Sequence, residues 1–180
     1  MIVDLGTGDG RAVLARAGCE PSALVIGVDA SAPAMAESSR RADRRGPRNA
    51  LFLAAGVEAL PSSPLADTAD LVTIVFPWGS LLRGALGVDR AALRGIVSVV
   101  TPGGRLEVVA SVVSGDGVAD LEELDEGRLP AIAEAWRLAG LQLTSMRPAT
   151  AAELATSGST WARRLGVGRR AWRLDGVRSG

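Results

Sequence analysis

The chain has 180 residues, 47% of them hydrophobic, and its 20 basic side chains balance 20 acidic ones. This length predicts a single domain, 1–180, and the longest run without a charged residue, 71–82, is too short to span a bilayer. One cysteine excludes an internal disulfide, and the lack of histidine excludes a zinc site and a catalytic histidine. Four charged residues among the first 16 lie where a signal peptide needs an apolar stretch, so we expect a protein that is not exported and stays in the cytoplasm.

Short apolar runs alternate with segments of helical periodicity along most of the chain. Strands are predicted at 1–5, 23–28, 50–54, 70–76 and 105–113, and helices at 10–18, 31–45, 79–86, 89–100 and 128–139. This alternation is typical of a parallel sheet covered on both faces. Residues 141–147 and 170–177 alternate apolar and polar positions, which predicts an antiparallel strand pair. We expect a PGG turn (102–104) before the fifth strand, and a surface loop or polar helix face at 114–127.

A glycine-rich turn, DLGTGDG at 4–10, follows the first strand. The dinucleotide fingerprint is G-x-G-x-x-G, but here the third glycine comes one residue early and Asp4 precedes the first. An acid at this point would repel a pyrophosphate and would suit a ligand with an ammonium group, such as S-adenosylmethionine (SAM). Asp29 closes the second strand, where a carboxylate can accept both ribose hydroxyls. The turn therefore favours SAM over NAD. The alternative is a purely structural turn with Asp29 as a helix N-cap.

Three further segments are candidates for binding. All 20 basic residues are arginine, and five of them lie in 40–48, where their guanidinium forks suit phosphates unless they form only a solvated face. Val57 and Glu58 follow the third strand and can face an adenine ring, although Glu58 can equally open the next turn. Trp78 follows the fourth strand, where it is either a core plug or a stacking platform.

The segment 157–170 contains Trp161 among small residues and four arginines. An aromatic residue interleaved with arginines indicates base stacking together with phosphate contact. The alternative is a solvated basic loop that Trp161 anchors to the body of the protein.

Four motifs resemble one family: DLGTGDG at 4–10, EALP at 58–61, FPWGSLLRG at 76–84 and STWARRL at 159–165. They are similar to motifs of the 16S ribosomal RNA adenine-N1 methyltransferases of aminoglycoside resistance, which modify adenine 1408 in the decoding site, helix 44, of the 30S subunit. The resemblance runs from residue 1 to about 175. It implies a class I SAM-dependent methyltransferase (Rossmann-like) fold, a mostly parallel seven-stranded sheet with an antiparallel C-terminal strand pair.

The resemblance also implies roles for individual residues. Trp78 and Trp161 would sandwich the flipped adenine. Ser159 and Thr160 would close over the cofactor. The arginines expected to contact RNA are Arg40, Arg41, Arg44, Arg45, Arg164 and Arg169. The complete set expected to bind SAM is Asp4, Gly6, Thr7, Gly8, Asp29, Ala30, Val57, Glu58, Val75, Phe76, Ser159 and Thr160.

The chemistry of this reaction fits a chain without histidine. Adenine N1 has an in-plane lone pair and no proton to remove, so methylation needs alignment and exclusion of water rather than a general base. Family members act as monomers and carry an N-terminal β-hairpin extension that we expect to be absent from this chain. Two alternatives stay open: a methyltransferase for transfer RNA or a small molecule, and a cofactor-binding or RNA-binding protein with little catalysis.

Overall fold

The computed structural model describes residues 1–113, 116, 121–156 and 170–180. The strands are β1 (Ile2–Leu5), β2 (Val25–Asp29), β3 (Ala50–Ala54), β4 (Ala69–Val75), β5 (Val100–Ala110), β6 (Leu141–Pro148) and β7 (Trp172–Arg178). The α-helices are α1 (Arg11–Cys19), α2 (Ala32–Arg45), α3 (Gly79–Ala85), α4 (Arg90–Val99), α5 (Leu129–Leu138) and α6 (Ala151–Thr156). Short 3₁₀ turns span Val57–Ser62 and Glu126–Arg128.

The strands form one seven-stranded sheet in the order β3-β2-β1-β4-β5-β7-β6. Strands β1 to β5 are parallel, and β7 runs antiparallel between β5 and β6. The predicted sheet and its antiparallel C-terminal pair are therefore confirmed. The strand order reverses between β1 and β4, and ligands of such sheets bind outside the carboxyl ends of the strands at this point.

Helices cover the two faces of the sheet because side chains alternate along each strand. On one face, Ile2 and Val25 pack with Val13 and Ala17 of α1. On the other face, a larger core joins the sheet to α3, α4 and α5. Trp136 of α5 is fully buried in this core, and its indole N–H donates to the Ala85 carbonyl at 2.9 Å, which ties α5 to α3. Within the described ranges, no helix is both long and apolar enough to cross a membrane.

The PGG prediction is wrong in its placement. Strand β5 begins at Val100, five residues earlier than predicted, because Val100 already pairs with Ala69. The pairing resumes with Leu71 opposite Arg105, so the residues between leave the ladder as an irregularity within the strand. Gly103 takes a left-handed φ of 77° there. The motif therefore interrupts a strand and does not precede it.

The acidic segment is partly described. Residues 121–125 form a loop that leads into the 3₁₀ turn, and buried Leu124 accepts a hydrogen bond from the Trp172 indole at 2.9 Å. Residues 114, 115 and 117–120 lie outside the described part of the chain. This loop is consequently fastened to β7 at its C-terminal end.

Candidate active site

A cavity of about 530 Å³ opens at the carboxyl ends of β1, β2 and β4. This volume lies within the range of roughly 300–1,000 Å³ for small-molecule sites. The structure brings together ten of the twelve residues predicted to bind SAM, and Trp78 with them: Asp4, Gly6, Thr7, Gly8, Asp29, Ala30, Val57, Glu58, Val75 and Phe76 all line the cavity. Ser159, Thr160, Trp161, Arg164 and Arg169 lie outside the described residues.

The glycine turn needs its glycines for two different reasons. Gly6 and Gly8 have φ values of 73° and 58°, in the left-handed region that side chains rarely adopt. A Cβ on Gly6 would come within 2.6 Å of Leu81, whereas a Cβ on Gly8 would meet nothing within 4 Å. The Gly6 and Thr7 amides donate to the Val28 carbonyl at 2.8 and 3.1 Å. The turn is therefore fixed to β2, and its backbone at Gly8 borders open space.

Asp29 links the glycine turn to the start of α2. Its Oδ2 accepts the Gly8 amide at 2.9 Å, and its Oδ1 accepts the Ser31 amide at 2.8 Å. The N-cap residue of α2 is Ser31, so the N-cap reading of Asp29 is wrong in detail, although its carboxylate does order the helix entry. Each carboxylate oxygen has a second lone pair, so Asp29 keeps the capacity to accept ribose hydroxyls.

Asp4 supplies a carboxylate at the base of the cavity. Burial raises the pKa of this carboxyl, and the hydroxyls of Thr73 and Thr7 and the charge of Arg16 oppose the rise, while the charge of Asp29 adds to it. The Thr73 hydroxyl donates to Asp4 Oδ1 at 2.7 Å. A partly desolvated carboxylate attracts a cation and repels a pyrophosphate. The Asp4 carboxylate therefore fits the ammonium end of SAM and does not fit the pyrophosphate of NAD.

The 3₁₀ turn after β3 forms a further side of the cavity, beside the glycine turn and the end of β2. Val57 is buried against α4, where a Cβ on Gly95 would lie within 2.0 Å of the Val57 carbonyl. Glu58 belongs to the first turn of the 3₁₀ segment and also borders the cavity. Both interpretations of Glu58 are therefore compatible with its position.

The end of β4 presents a tryptophan at the cavity. Phe76 is a buried non-glycine residue with a φ of 49°, and its amide donates to the Val109 carbonyl at 2.8 Å. Such a left-handed conformation at a bulky residue is strained, and strain of this kind clusters at functional sites. Pro77 follows, and Trp78 is 47% exposed. The core-plug interpretation of Trp78 is therefore wrong.

The arginine cluster of α2 lies away from the cavity. Arg40, Arg41, Arg44 and Arg45 are exposed, and Arg40 pairs with Glu37 at 2.9 Å. They follow Ser31 by nine to fourteen positions, which is about 13–21 Å along the helix axis. Helix α2 connects parallel strands, so it runs back toward their amino ends. Among the described residues, the arginines of α2 and the predicted cofactor residues thus lie in two different regions.

Sequence reasoning missed several residues of the site. Pro77, Ser80 and Leu81 also border the cavity, and the position of FPWGSLL directly after β4 was the available signal. Ser38 of α2 donates to the Asp9 carbonyl at 2.5 Å and so holds the glycine turn from outside. Thr73 faces Asp4 only because β1 and β4 are neighbours in this register, which the sequence does not reveal.

This sheet order, with an acid-led glycine turn after β1 and a carboxylate closing β2, defines a class I SAM-dependent methyltransferase with a Rossmann-like fold. The family model NpmA, 16S rRNA (adenine(1408)-N(1))-methyltransferase, matches residues 1–177. The chain belongs to this family, and its cofactor is SAM.

Individual relatives agree with the family. The chain is 34% identical over 182 residues to a 16S rRNA (adenine(1408)-N(1))-methyltransferase of Streptoalloteichus hindustanus, which covers 94% of this chain and 81% of that protein. A tryptophan-to-alanine variant of the corresponding Catenulisporales acidiphilia enzyme, solved with cosubstrate SAM, superposes with a TM-score of 0.88 at 31% identity over 99% and 85% of the two chains. The aminoglycoside resistance methyltransferase NpmB1 is 39% identical with a TM-score of 0.82 over 98% and 86%.

Proposed function

We propose that this chain methylates N1 of adenine 1408 in the helix 44 decoding site of the assembled 30S subunit and thereby confers aminoglycoside resistance. The observation that carries the proposal is the half-exposed Trp78 at a cavity whose base holds the Asp4 and Asp29 carboxylates. An aromatic face beside a cofactor cavity is what a flipped base requires. Family membership supports the same reaction.

Different residues of the cavity bind different parts of the cofactor. Asp4 holds the ammonium group, because its carboxylate lies at the base of the glycine turn. Asp29 accepts the ribose hydroxyls, and the backbone at Val57 together with Glu58 faces the adenine edge. When bound, SAM supplies an electrophilic methyl group on a positively charged sulfur.

The substrate adenine needs orientation rather than deprotonation. Trp78 stacks on one face of the base, and its position is fixed by the strained backbone of Phe76 and by Pro77. Trp161 is proposed to cover the other face. Extruding a base costs a few kcal/mol, and stacking of roughly 1–3 kcal/mol per base offsets much of that cost. The two rings also exclude water from the reacting atoms.

We propose that arginine side chains bind the protein to the 30S subunit. The exposed cluster of α2 is proposed to contact the phosphates of ribosomal RNA, with Arg164 and Arg169 holding the backbone near the flipped base. Since the α2 cluster lies well away from the cavity, its contacts bind the subunit and do not touch the reacting base. We infer that the chain acts as a single domain and a monomer in the cytoplasm, where 30S subunits are found.

A methyl-transfer assay with tritium-labelled SAM tests this function. Purified 30S subunits, 50S subunits and transfer RNA are offered separately to the purified chain, and the labelled RNA is counted. We expect label in the 30S subunits only. Label in transfer RNA, or SAM binding by calorimetry with no label in any substrate, would contradict the proposal.

A further inference from the structure

Asp4 and Thr73 form a pair across two neighbouring strands. They are register partners of β1 and β4, so both side chains lie on the face of the sheet that α1 covers. The Thr73 hydroxyl donates to Asp4 Oδ1 at 2.7 Å, and Thr73 is only 9% exposed. The carboxylate therefore has a buried hydrogen-bond donor directly beside it.

Two cavities meet at Asp4, and Thr73 borders only one of them. The cofactor cavity includes Asp4 but not Thr73. A second cavity of about 420 Å³, between α1, the sheet and α6, includes both residues. Thr73 thus reaches the carboxylate from behind and has no surface in the cofactor cavity. The contact that joins Thr73 to the lining of the cofactor cavity is its hydrogen bond to Asp4.

We propose that Thr73 is a positioning residue for the amino-acid end of SAM, because its hydroxyl holds the Asp4 carboxylate in the orientation that binds an ammonium group. This inference rests on the proposed role of Asp4. Burial raises the pKa of Asp4, and the Thr73 hydrogen bond is the largest of the contacts that oppose the rise.

The charged groups around Asp4 have other partners. Arg16 of α1 lies 3.0 Å from Glu20, and Asp29 at the end of β2 accepts two backbone amides. Across the second cavity, Arg173 of β7 pairs with Glu107 of β5 at 3.2 Å, and with Glu153 of α6 at 3.6 Å. Arg173 also pairs with Asp175 at 2.8 Å. Because these charged groups have partners of their own, the test removes the hydrogen bond that Thr73 donates to Asp4.

The test compares two ligands by calorimetry on the Thr73→Val variant. SAM has the ammonium group and a positively charged sulfonium sulfur, whereas 5′-methylthioadenosine has the same adenosine and a neutral thioether sulfur and lacks the amino-acid end. Since the hydrogen bond to the Asp4 carboxylate is lost, we expect SAM affinity at neutral pH to fall about tenfold or more. Affinity for 5′-methylthioadenosine is expected to stay within about twofold. Thr73→Ser, which keeps the hydroxyl, should restore SAM binding.

The pH dependence gives a second readout. SAM affinity should fall as the pH drops through the pKa of Asp4 in the free protein, because protonation removes the charge that the ammonium group needs. In Thr73→Val this fall should move to higher pH, since the carboxylate has lost a donor. Thr68→Val is the matched control, because its hydroxyl donates to the Leu65 carbonyl at 2.6 Å, away from both cavities.

The Asp4→Asn variant separates the possible failures. If it leaves SAM affinity unchanged, the proposed role of Asp4 is wrong and the inference falls with it. If it weakens SAM binding but Thr73→Val does not, only the role of Thr73 is overturned. Equal losses for SAM and 5′-methylthioadenosine in Thr73→Val would indicate a general distortion and would also overturn it. If the proposal is right, the double variant with Thr73→Val and Asp4→Asn should bind SAM as weakly as Asp4→Asn alone.

Discussion

The ionised side chain of Asp4 lowers the stability of the protein when no cofactor is bound. Burial raises its pKa, so in the folded chain it holds its proton to a higher pH than in the unfolded chain. The ionised form therefore opposes folding. This penalty is absent below the ordinary pKa of 3.8 and is complete above the raised value. A cost of this kind is typical of a residue kept for binding.

We expect Asp4→Asn to unfold at the same temperature as the wild type or a higher one near neutral pH, and to lose most of the thermal stabilisation that SAM gives. Thermal unfolding with and without SAM, from about pH 4 to about pH 8, measures both effects. A variant that melts several degrees lower and still gains the full SAM stabilisation would identify Asp4 as a structural residue instead.

Trp78 gives a second test at the scale of one residue. We expect Trp78→Ala to reduce methylation of 30S subunits at least tenfold, because a stacking face of roughly 1–3 kcal/mol is lost, while SAM affinity stays within about twofold. Trp78→Phe should keep part of the activity. Leu138→Ala, which truncates another exposed apolar side chain on α5, is the control and should methylate normally. Unchanged activity in Trp78→Ala would remove it from the site.

The sequence located the residues of the cavity but not their geometry. Asp4, the glycines and Asp29 were identifiable because their spacing along the chain is itself the signal. The role of Trp78 stayed open, since a tryptophan after a buried strand fits a core and a platform equally well. The exposure of Trp78, which decides the matter, is a property of the folded chain, in which the preceding Phe76 amide donates to the Val109 carbonyl of a neighbouring strand.

At the scale of elements, α2 joins the two regions of the proposed function. Its first turn is ordered by the carboxylate of Asp29 at the cavity, and its last turns present the arginine cluster. The length of α2 therefore determines how far the arginine cluster lies from the cavity. The cluster has a net positive charge that folded RNA attracts through its phosphates.

We expect the double variant Arg40→Glu and Arg41→Glu to bind 30S subunits more weakly and to flatten the salt dependence of binding. Each lost phosphate contact lowers the slope by roughly 0.7–0.9. Filter binding over a range of salt concentrations measures this slope. Arg137→Glu is the control, because Arg137 lies on α5 on the opposite face of the sheet, paired with Glu134. An unaltered slope in the double variant would mean that the cluster is only a solvated face.

Elements with strong periodicity were predictable, and elements defined by pairing were less so. The bounds of α1 and α2 agree with the sequence to within a residue. The start of β5 was missed because Pro102 and two glycines argue for a turn, whereas Val100 is held by its partner Ala69. Helix α6 was also missed, although Thr150 and Glu153 form a capping box with a 2.8 Å hydrogen bond that the T-x-x-E spacing indicates.

At the scale of the whole molecule, the net charge is zero, but acidic and basic side chains are concentrated in different regions. The acidic groups Asp4, Asp29 and Glu58 line the cofactor cavity, while the exposed arginines of α2 lie toward the amino ends of the strands. The parallel sheet was predictable from the alternation of strands and helices, and the structure confirms it, whereas the order of the strands is known only from the structure. The segment with Trp161 lies outside the described residues, so its role stays a prediction.

Primer extension on 30S subunits treated with the purified chain tests the central claim most directly. A methyl group on adenine N1 blocks Watson–Crick pairing, so reverse transcriptase halts beside it. We expect a SAM-dependent stop at adenine 1408 that forms at least tenfold more slowly with the Trp78→Ala variant. A preparation that binds SAM by calorimetry yet gives no stop there, or gives one at another position, would contradict the account.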